Sequence, residues 1–346
     1  MLKIGDIQLP YFPLLLAPME DVSDPPFRAV CKANGADLMY TEFISSEGLI
    51  RDAIKSRQKL DIFDYERPIG IQIFGGDEDA MAMSARIAET VNPDLVDINF
   101  GCPVKKVVCK GAGAGVLKDI NLMVRLTKAV VNSTSKPVTV KTRLGWDESS
   151  MNIEDAAERL QDAGIQALTI HGRTRTQMYK GEADWRLIAA IKNNPRMHIP
   201  VFGNGDVDSP QKALAYKNLY GVDGIMIGRA AIGCPWIFNE IKYFLLTGEM
   251  PALPGIHQRV DTIKIHLHKS IEWKGSVLGI IEMRRHYTNY LKGYPYIKEF
   301  RNKLVTLKTA EEIEEVLNEI ILRYDGFIPE KKIASFNESQ PEECAA

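Results

Sequence analysis

The chain has 346 residues, of which 45% are apolar and 25% charged, and its net charge is −2. This composition is typical of a folded globular protein and excludes a disordered chain or a strongly basic one. No apolar run approaches the roughly 20 residues of a membrane helix, and Pro13 and Pro18 interrupt the apolar segment near the N-terminus. We therefore expect neither a secretion signal nor a membrane partner, and a cytoplasmic location.

The five cysteines are irregularly spaced, and their number is odd. None belongs to a CxxC pair or to a Cys/His cluster with zinc-ligand spacing. We therefore expect no metal site and no disulfide framework, which agrees with a reducing compartment.

Eight short β-rich apolar runs recur up to Gly228. Between them, apolar residues show helical spacing, most clearly at Met81–Val91, Ile120–Val131 and Ile153–Ala163. Strands that alternate with helices predict a parallel sheet, and eight units match a (β/α)₈ TIM barrel over residues 1–250. The alternative is an open doubly wound sheet. Such a sheet usually has fewer strands and a GxGxxG motif after its first strand, and no such motif follows the first strand here. The predicted strands are Leu14–Pro18, Ala36–Thr41, Ile69–Phe74, Leu95–Asn99, Val138–Arg143, Ala167–His171, Ile199–Gly203 and Gly224–Gly228.

The pattern changes at the Pro/Gly-rich link Gly248–Gly255. Beyond it, helical spacing predicts helices at His257–Trp273, Val277–Leu291 and Ala310–Ile321. We predict a small all-helical C-terminal domain over residues 256–328. The polar segment 330–346 is predicted to be a flexible tail.

Polar residues cluster where the predicted strands end, which is where barrel enzymes place their chemistry. Any one of them could be a buried group with a structural partner, but several at one mouth favour a ligand. Glycines and Arg229 after the last two strands suit a phosphate, although the glycines could simply form tight turns. The candidate residues are Ala17, Pro18, Met19, Gln72, Asn99, Lys141, Arg143, His171, Asn204, Gly205, Asp206, Gly228 and Arg229.

Three of the predicted site residues carry reactive chemistry. Lys141 could be a Schiff-base nucleophile, an ion-pair partner or a cofactor contact, and His171 could be structural. Cys102 lies in a Gly-Cys-Pro turn before a Gly-rich loop, and a thiol is mostly protonated at neutral pH. We predict that Cys102 donates a proton, the alternative being a small buried apolar side chain.

These segments together resemble the tRNA-dihydrouridine synthases, and most closely their bacterial B-type subgroup. The resemblance covers about residues 10 to 325 and is most specific in Asp97–Pro103 and Ile170–Thr174. The other matching segments are Leu16–Met19, Asp24–Arg28, Gln72–Gly75, Val140–Arg143, Gly203–Asp206, Gly228–Ala230, Met283–His286 and Tyr290–Gly293.

The resemblance implies an FMN enzyme that reduces uridine in tRNA to 5,6-dihydrouridine with NADPH or NADH. It implies hydride transfer from reduced FMN to C6 of uracil and proton transfer from Cys102 to C5. It assigns Ala17, Pro18, Met19, Gln72, Lys141 and His171 to the flavin ring, and Asn204, Gly205, Asp206, Gly228 and Arg229 to the phosphate. Expected substrate contacts are Asn99, Arg143, Arg284, Arg285 and Lys292.

Charge distribution also favours RNA, because residues 256–308 contain eleven Lys or Arg but four Asp or Glu. A solvated helical face would look similar. Two other functions fit parts of the pattern: a flavin barrel acting on a small pyrimidine, like dihydroorotate dehydrogenase, and a non-enzymatic RNA-binding protein. No obligatory protein partner is predicted.

Overall fold

A computed structural model of the chain describes residues 1–327 and 329. Nine parallel segments form one sheet, and a two-stranded antiparallel hairpin precedes it. The strands are β1 Leu2–Ile4, β2 Ile7–Leu9, β3 Leu14–Leu16, β4 Met39–Tyr40, β5 Ile44–Ser45, β6 Ile69–Phe74, β7 Leu95–Asn99, β8 Val138–Arg143, β9 Ala167–His171, β10 Val201–Asn204 and β11 Gly224–Ile227.

The parallel sheet closes into a ring. Its order is β3-β11-β10-β9-β8-β7-β6-β4, and a parallel bridge between Leu15 and Leu38 joins the two ends. The amide of Leu16 donates to the carbonyl of Leu38 at 2.9 Å across this seam. The eight predicted strands are therefore present, and the predicted (β/α)₈ barrel is confirmed. The second is shorter than predicted, and β5 adds a second segment beside β6.

Apolar side chains fill part of the barrel interior. Leu15, Tyr40, Leu95 and Phe202 are almost completely buried in one cluster. Ile4 and Leu9 of the hairpin belong to the same cluster, so the hairpin contributes apolar residues to this interior. This apolar packing leaves the chemistry to the loops at the carboxyl ends of the strands.

Helices follow most strands, as predicted. The helix predicted at Ile120–Val131 has those bounds, whereas the one predicted from Met81 begins at Glu78 because Asp77 caps it by accepting from the amide of Ala80. The helices are α1 Pro25–Ala33, α2 Ser46–Ile50, α3 Ile54–Gln58, α4 Glu78–Glu89, α5 Lys105–Val108, α6 Ile120–Val131, α7 Ile153–Asp162, α8 Arg186–Asn193, α9 Pro210–Tyr220, α10 Ile237–Thr247, α11 Ile256–Tyr290, α12 Lys298–Leu304 and α13 Ala310–Tyr324.

The C-terminal region is helical, as predicted, and α11 turns back on itself. Gly275 breaks it with φ 80° and ψ 165°, a conformation that glycine adopts without a Cβ penalty. Ser270 Oγ donates to the carbonyl of Gly279 at 3.1 Å, and Arg259 donates to the carbonyl of Tyr290 at 3.0 Å. The two arms are therefore antiparallel, in agreement with the two predicted helices.

The α11 hairpin packs against the first helix of the barrel. The ring of Phe27 in α1 lies 5.8 Å from His266 and 5.3 Å from His286, and Lys274 pairs with Asp24 at 2.6 Å. The boundaries 1–250 and 256–328 stay predictions, and the predicted tail 330–346 lies outside the described residues. In the described part of the chain, no helix combines the length and apolarity of a bilayer span.

Burial makes this junction sensitive to acid. It lowers the pKa of His266 to about 3, helped by the Lys274 charge, and holds the pKa of His286 well below its ordinary value, helped by His266. In the unfolded chain both imidazoles titrate near pH 6.5. Below that pH the unfolded state binds more protons than the folded state, so stability falls as the pH falls through 6.5.

We predict that His286→Phe reduces this acid sensitivity, because it keeps a ring against Phe27 but removes one titration. At pH 5.5 each buried histidine costs about 1.4 kcal/mol of the free energy of unfolding, so the variant should lose that much less than the wild type. Urea unfolding at pH 7.5 and 5.5 measures the difference, with His198→Asn as a surface control. Equal losses in variant and wild type would contradict the prediction.

Candidate active site

The strand register brings the predicted polar residues together at one mouth. Asn99 is the partner of Lys141 in the β7–β8 pair, and His171 is the partner of Arg143 and of Asn204 in the two pairs of β9. Gln72 lies one strand further, on β6. Burial of this many polar groups requires partners, and most of the partners are one another or nearby backbone.

The turn that carries Cys102 is held from two sides. Oδ1 of Asn99 accepts from the amides of Gly101 and Cys102 at 2.9 and 2.8 Å. Arg143 donates through Nε to the carbonyl of Gly101 at 2.7 Å and through Nη1 to the carbonyls of Thr174 and Met178. The Arg143 guanidinium therefore joins the Cys102 turn to the loop after β9.

The thiol itself is suited to hold a proton. Cys102 is 6% exposed, and burial raises the pKa of its thiol, partly opposed by a hydrogen bond from the Val104 backbone and by the Arg143 and Lys141 charges. The amide of Ala114 donates to the carbonyl of Cys102 at 3.0 Å, which ties the following Gly-rich loop to the turn. Lys105, Lys106 and Lys110 in that loop are exposed.

Lys141 is a cation of reduced basicity. Desolvation and the neighbouring Arg143 lower its pKa to about 8, while Asp97 opposes the shift. Lys141 is thus mostly charged at neutral pH and is ready to contact an electron-rich group. Such a contact requires no covalent Schiff base on Lys141.

His171 is neutral and has a defined tautomer. Nη1 of Arg173 lies 3.3 Å from Nε2 of His171, and a guanidinium can only donate, so Nε2 accepts and the ring proton lies on Nδ1. Burial and the charges of Arg143, Lys141 and Arg173 hold the pKa of His171 well below its ordinary value. Nδ1–H is therefore a permanent donor.

Asp206 joins two arginines at the ends of β9 and β11. It accepts from Arg173 at 2.6 Å and from Arg229 at 3.1 Å, and the pKa of its carboxyl is lowered although burial opposes this. The Arg229 side chain is 56% exposed, so it remains open to a further anion. Asn204 instead uses Nδ2 to bind the carbonyl of Met226 at 2.8 Å.

Three glycines of this region differ in the space and the backbone conformation around them. A Cβ at Gly203 would overlap the indole of Trp185, and Gly205 has φ +126°. A Cβ at Gly228 would meet only Ala17 and Met19, at ordinary contact distances of 3.4 and 3.6 Å. Packing and a positive φ thus explain the first two, whereas packing does not explain Gly228.

The basic residues predicted to contact the substrate differ in whether their side chains are engaged within the protein. Arg284 donates to the carbonyl of Leu307, Arg285 to the carbonyl of Asp21, and Lys292 is exposed. Arg259 and Lys274 are engaged with protein groups, Arg259 with backbone carbonyls and Lys274 with Asp24 and Glu282. The charge count of residues 256–308 therefore overstates the cations available to RNA.

Comparison with known proteins decides the family. The family model described as Dihydrouridine synthase (Dus) matches residues 15–324. The chain belongs to the dihydrouridine synthase family. A tRNA-dihydrouridine synthase B of Pseudomonas syringae pv. tomato is 43% identical over 300 residues, which cover 86% of this chain and 88% of that protein. A probable tRNA-dihydrouridine synthase of Rickettsia conorii is 34% identical over 337 residues, covering 97% and 100%.

Solved structures share the barrel fold with this dihydrouridine synthase family member. A 6-hydroxypseudooxynicotine amine oxidase of Pseudomonas geniculata gives a TM-score of 0.55 at 12% identity and covers 76% of this chain and 52% of its own. A morphinone reductase mutant in complex with tetrahydroNAD gives 0.52 at 12% identity, covering 70% and 89%. At this identity the likeness concerns the fold alone.

One aromatic residue of this dihydrouridine synthase family member was missed by sequence reasoning. Tyr179 is 53% exposed, and its ring lies 4.8 Å from the Arg229 guanidinium, 5.7 Å from that of Arg143 and 6.2 Å from the His171 ring. The sequence offered a signal for Tyr179, because this residue lies in the segment after β9 and the loops after the strands form the mouth. Its position makes it a candidate contact for a planar ligand.

We predict that Gly203→Ala destabilises the protein by about 1–3 kcal/mol, because the new methyl group must displace the Trp185 ring. Gly228→Ala should lose less stability, since its methyl group would meet Ala17 and Met19 only at ordinary contact distances. Urea unfolding of the two variants side by side makes the comparison. Equal stability losses would refute the packing role of Gly203.

Proposed function

We propose that the chain reduces uridine in tRNA to 5,6-dihydrouridine, with FMN as cofactor and NADPH as the expected reductant. The observation that carries the proposal is a buried thiol at Cys102, whose turn is held by Asn99 and Arg143 at the mouth where Lys141 and His171 also lie. Membership of the dihydrouridine synthase family and relatives named tRNA-dihydrouridine synthase B support the substrate.

The residues at the mouth fit FMN. The lack of a Cβ at Gly228 is unexplained by packing and would let backbone approach a phosphate, with Arg229 as the exposed cation beside it. Gln72, Lys141 and the Nδ1–H of His171 offer donors for the polar edge of the isoalloxazine, beside Ala17, Pro18 and Met19. When bound, FMN supplies the hydride for C6 of uracil, which it first takes from NADPH.

The protein's own contribution is one proton and its position. Sγ of Cys102 holds the proton because burial disfavours the thiolate, and we infer that it passes to C5 of the uracil ring. The thiolate left behind is stabilised by the charges of Arg143 and Lys141 until solvent returns a proton. Asn99 fixes the backbone of this residue and thus limits where Sγ can reach.

We infer that tRNA lies across the mouth and the C-terminal helices. Lys105, Lys106 and Lys110 next to Cys102 and Lys292 in the helical region are exposed cations that can contact phosphates. The uridine must leave its stack to reach Cys102, as in other base-modifying enzymes. Arg284 and Arg285 remain candidate contacts, although each donates a hydrogen bond within the protein.

The phosphate assignment predicts that Arg229→Ala weakens FMN binding about tenfold, the low end for a charged hydrogen bond because Arg229 is half exposed. Titration of the apoprotein with FMN, followed by flavin fluorescence, measures the affinity. Arg186→Ala removes an exposed, ion-paired arginine that is not among the proposed site residues and serves as the control. An unchanged FMN affinity in Arg229→Ala would overturn the assignment.

The central test replaces Cys102. Only the half-reaction on uracil needs an acid, so Cys102→Ala should retain its flavin and still be reduced by NADPH. Single-turnover oxidation of the pre-reduced enzyme by tRNA should slow by roughly 10²–10⁴-fold, the range for losing a general acid. Cys109→Ala, an exposed cysteine of the same loop, should react at the wild-type rate.

Three results would each contradict a different part of the proposal. A wild-type rate in Cys102→Ala would show that another group or water delivers the proton. Activity of the wild type on free uracil or orotate but not on tRNA would replace the RNA substrate with a small pyrimidine. Binding of tRNA without flavin or turnover would indicate an RNA-binding protein without catalysis.

A further inference from the structure

A row of buried polar side chains runs below the mouth and ends at Cys102. Thr139 donates to Oδ1 of Asp97, and Nε2 of Gln72 donates to Oδ2 of Asp97 at 2.6 Å. Nδ2 of Asn99 donates to Oε1 of Gln72 at 2.8 Å, and Oδ1 of Asn99 accepts from the amide of Cys102 at 2.8 Å. The four side chains are at most 6% exposed, so water is not a substitute partner for them.

The direction of these hydrogen bonds is fixed at both ends. Burial raises the pKa of the Asp97 carboxyl to about 6, so at pH 7.5 it is mostly ionised and only accepts, and Gln72 must turn Nε2 towards it and Oε1 towards Asn99. Asn99 must then donate through Nδ2 and turn Oδ1 towards the backbone. At the other end the amides of Gly101 and Cys102 can only donate, and they require the same orientation of Asn99. The two ends agree, which leaves one arrangement for both amide side chains.

We propose that Asp97 is a positioning residue for the Cys102 thiol, acting through the amide groups of Gln72 and Asn99. Without an acceptor at position 97, the Gln72 amide loses the partner that selects its orientation. Asn99 then loses the fixed acceptor for its Nδ2, its Oδ1 is held by the amides of Gly101 and Cys102 alone, and the turn loosens. This inference rests on the proposed function only in giving the thiol its task as an acid.

Two other roles for Asp97 must be separated from this one. The carboxylate could serve only as a charge near Lys141, whose pKa it raises against burial. It could also serve only to fill space between strands. Asp97→Asn removes the charge but keeps an acceptor for Gln72, whereas Asp97→Leu fills space but offers no acceptor.

The measurement is the rate at which iodoacetamide alkylates Cys102 in the holoenzyme at pH 7.5, followed by peptide mass spectrometry. Alkylation of the exposed Cys109 in the same sample is the internal control. We expect Asp97→Leu to raise the Cys102 rate about tenfold, the effect of losing one buried hydrogen bond, and Asp97→Asn to remain near the wild type. Cys109 should react equally in all three proteins.

The alternatives give different results. A pure charge role would change the Cys102 rate equally in Asp97→Asn and Asp97→Leu, and a pure packing role would leave both near the wild type. Either result overturns the proposal. If Asp97→Leu does not fold, Gln72→Met breaks the same row in the middle and should raise the Cys102 rate similarly, while an unchanged rate there refutes the proposal.

Alkylation does not depend on turnover, so this test fails separately from the proposed function. If Cys102→Ala transferred protons normally, the positioning of the thiol could still hold while its catalytic task would be lost. If Asp97→Leu slowed the reaction with tRNA without altering Cys102 alkylation, Asp97 would act on the reaction by another route.

Discussion

Closure of the parallel ring between Leu15 and Leu38 is the constraint on which the mouth depends. Parallel pairing places the carboxyl ends of all strands on one face, and closure turns that face into a rim. Apolar side chains fill part of the interior. Polar side chains of β6 to β11 collect at the rim and in the layer below it, where they contact one another.

Hydrogen bonds among these polar groups hold the loops at the mouth together. A buried amide or guanidinium without a partner is costly, so side chains from neighbouring strands satisfy one another and the nearby backbone. Arg143 joins two loops in this way, and Asp206 joins Arg173 to Arg229. Residues that look like ligand contacts in the sequence are thus also the scaffold of the site.

The sequence was sufficient for the strands, the helical C-terminal region and the set of polar residues at the mouth, because periodicity and strand ends are local signals. It did not predict the hairpin β1–β2, whose short strands flank the turn Gly5-Asp6, or the placement of Tyr179 over two arginines. Hydrogen-bond direction from Asp97 to Cys102, and the internal pairing of cations such as Lys274, depend on residues distant in sequence. No local pattern records such contacts.

The contacts of α11 with residues 21–28 affect how dihydrouridine synthases can be recombined. Across the junction Arg285 donates to the backbone carbonyl of Asp21, Lys274 pairs with the Asp24 carboxylate, and Phe27 packs against two histidines. A helical region grafted from a relative would keep these contacts only where that relative carries the same residues. Functional chimeras between family members should therefore take residues 21–28, which follow β3, and the α11 hairpin from the same parent.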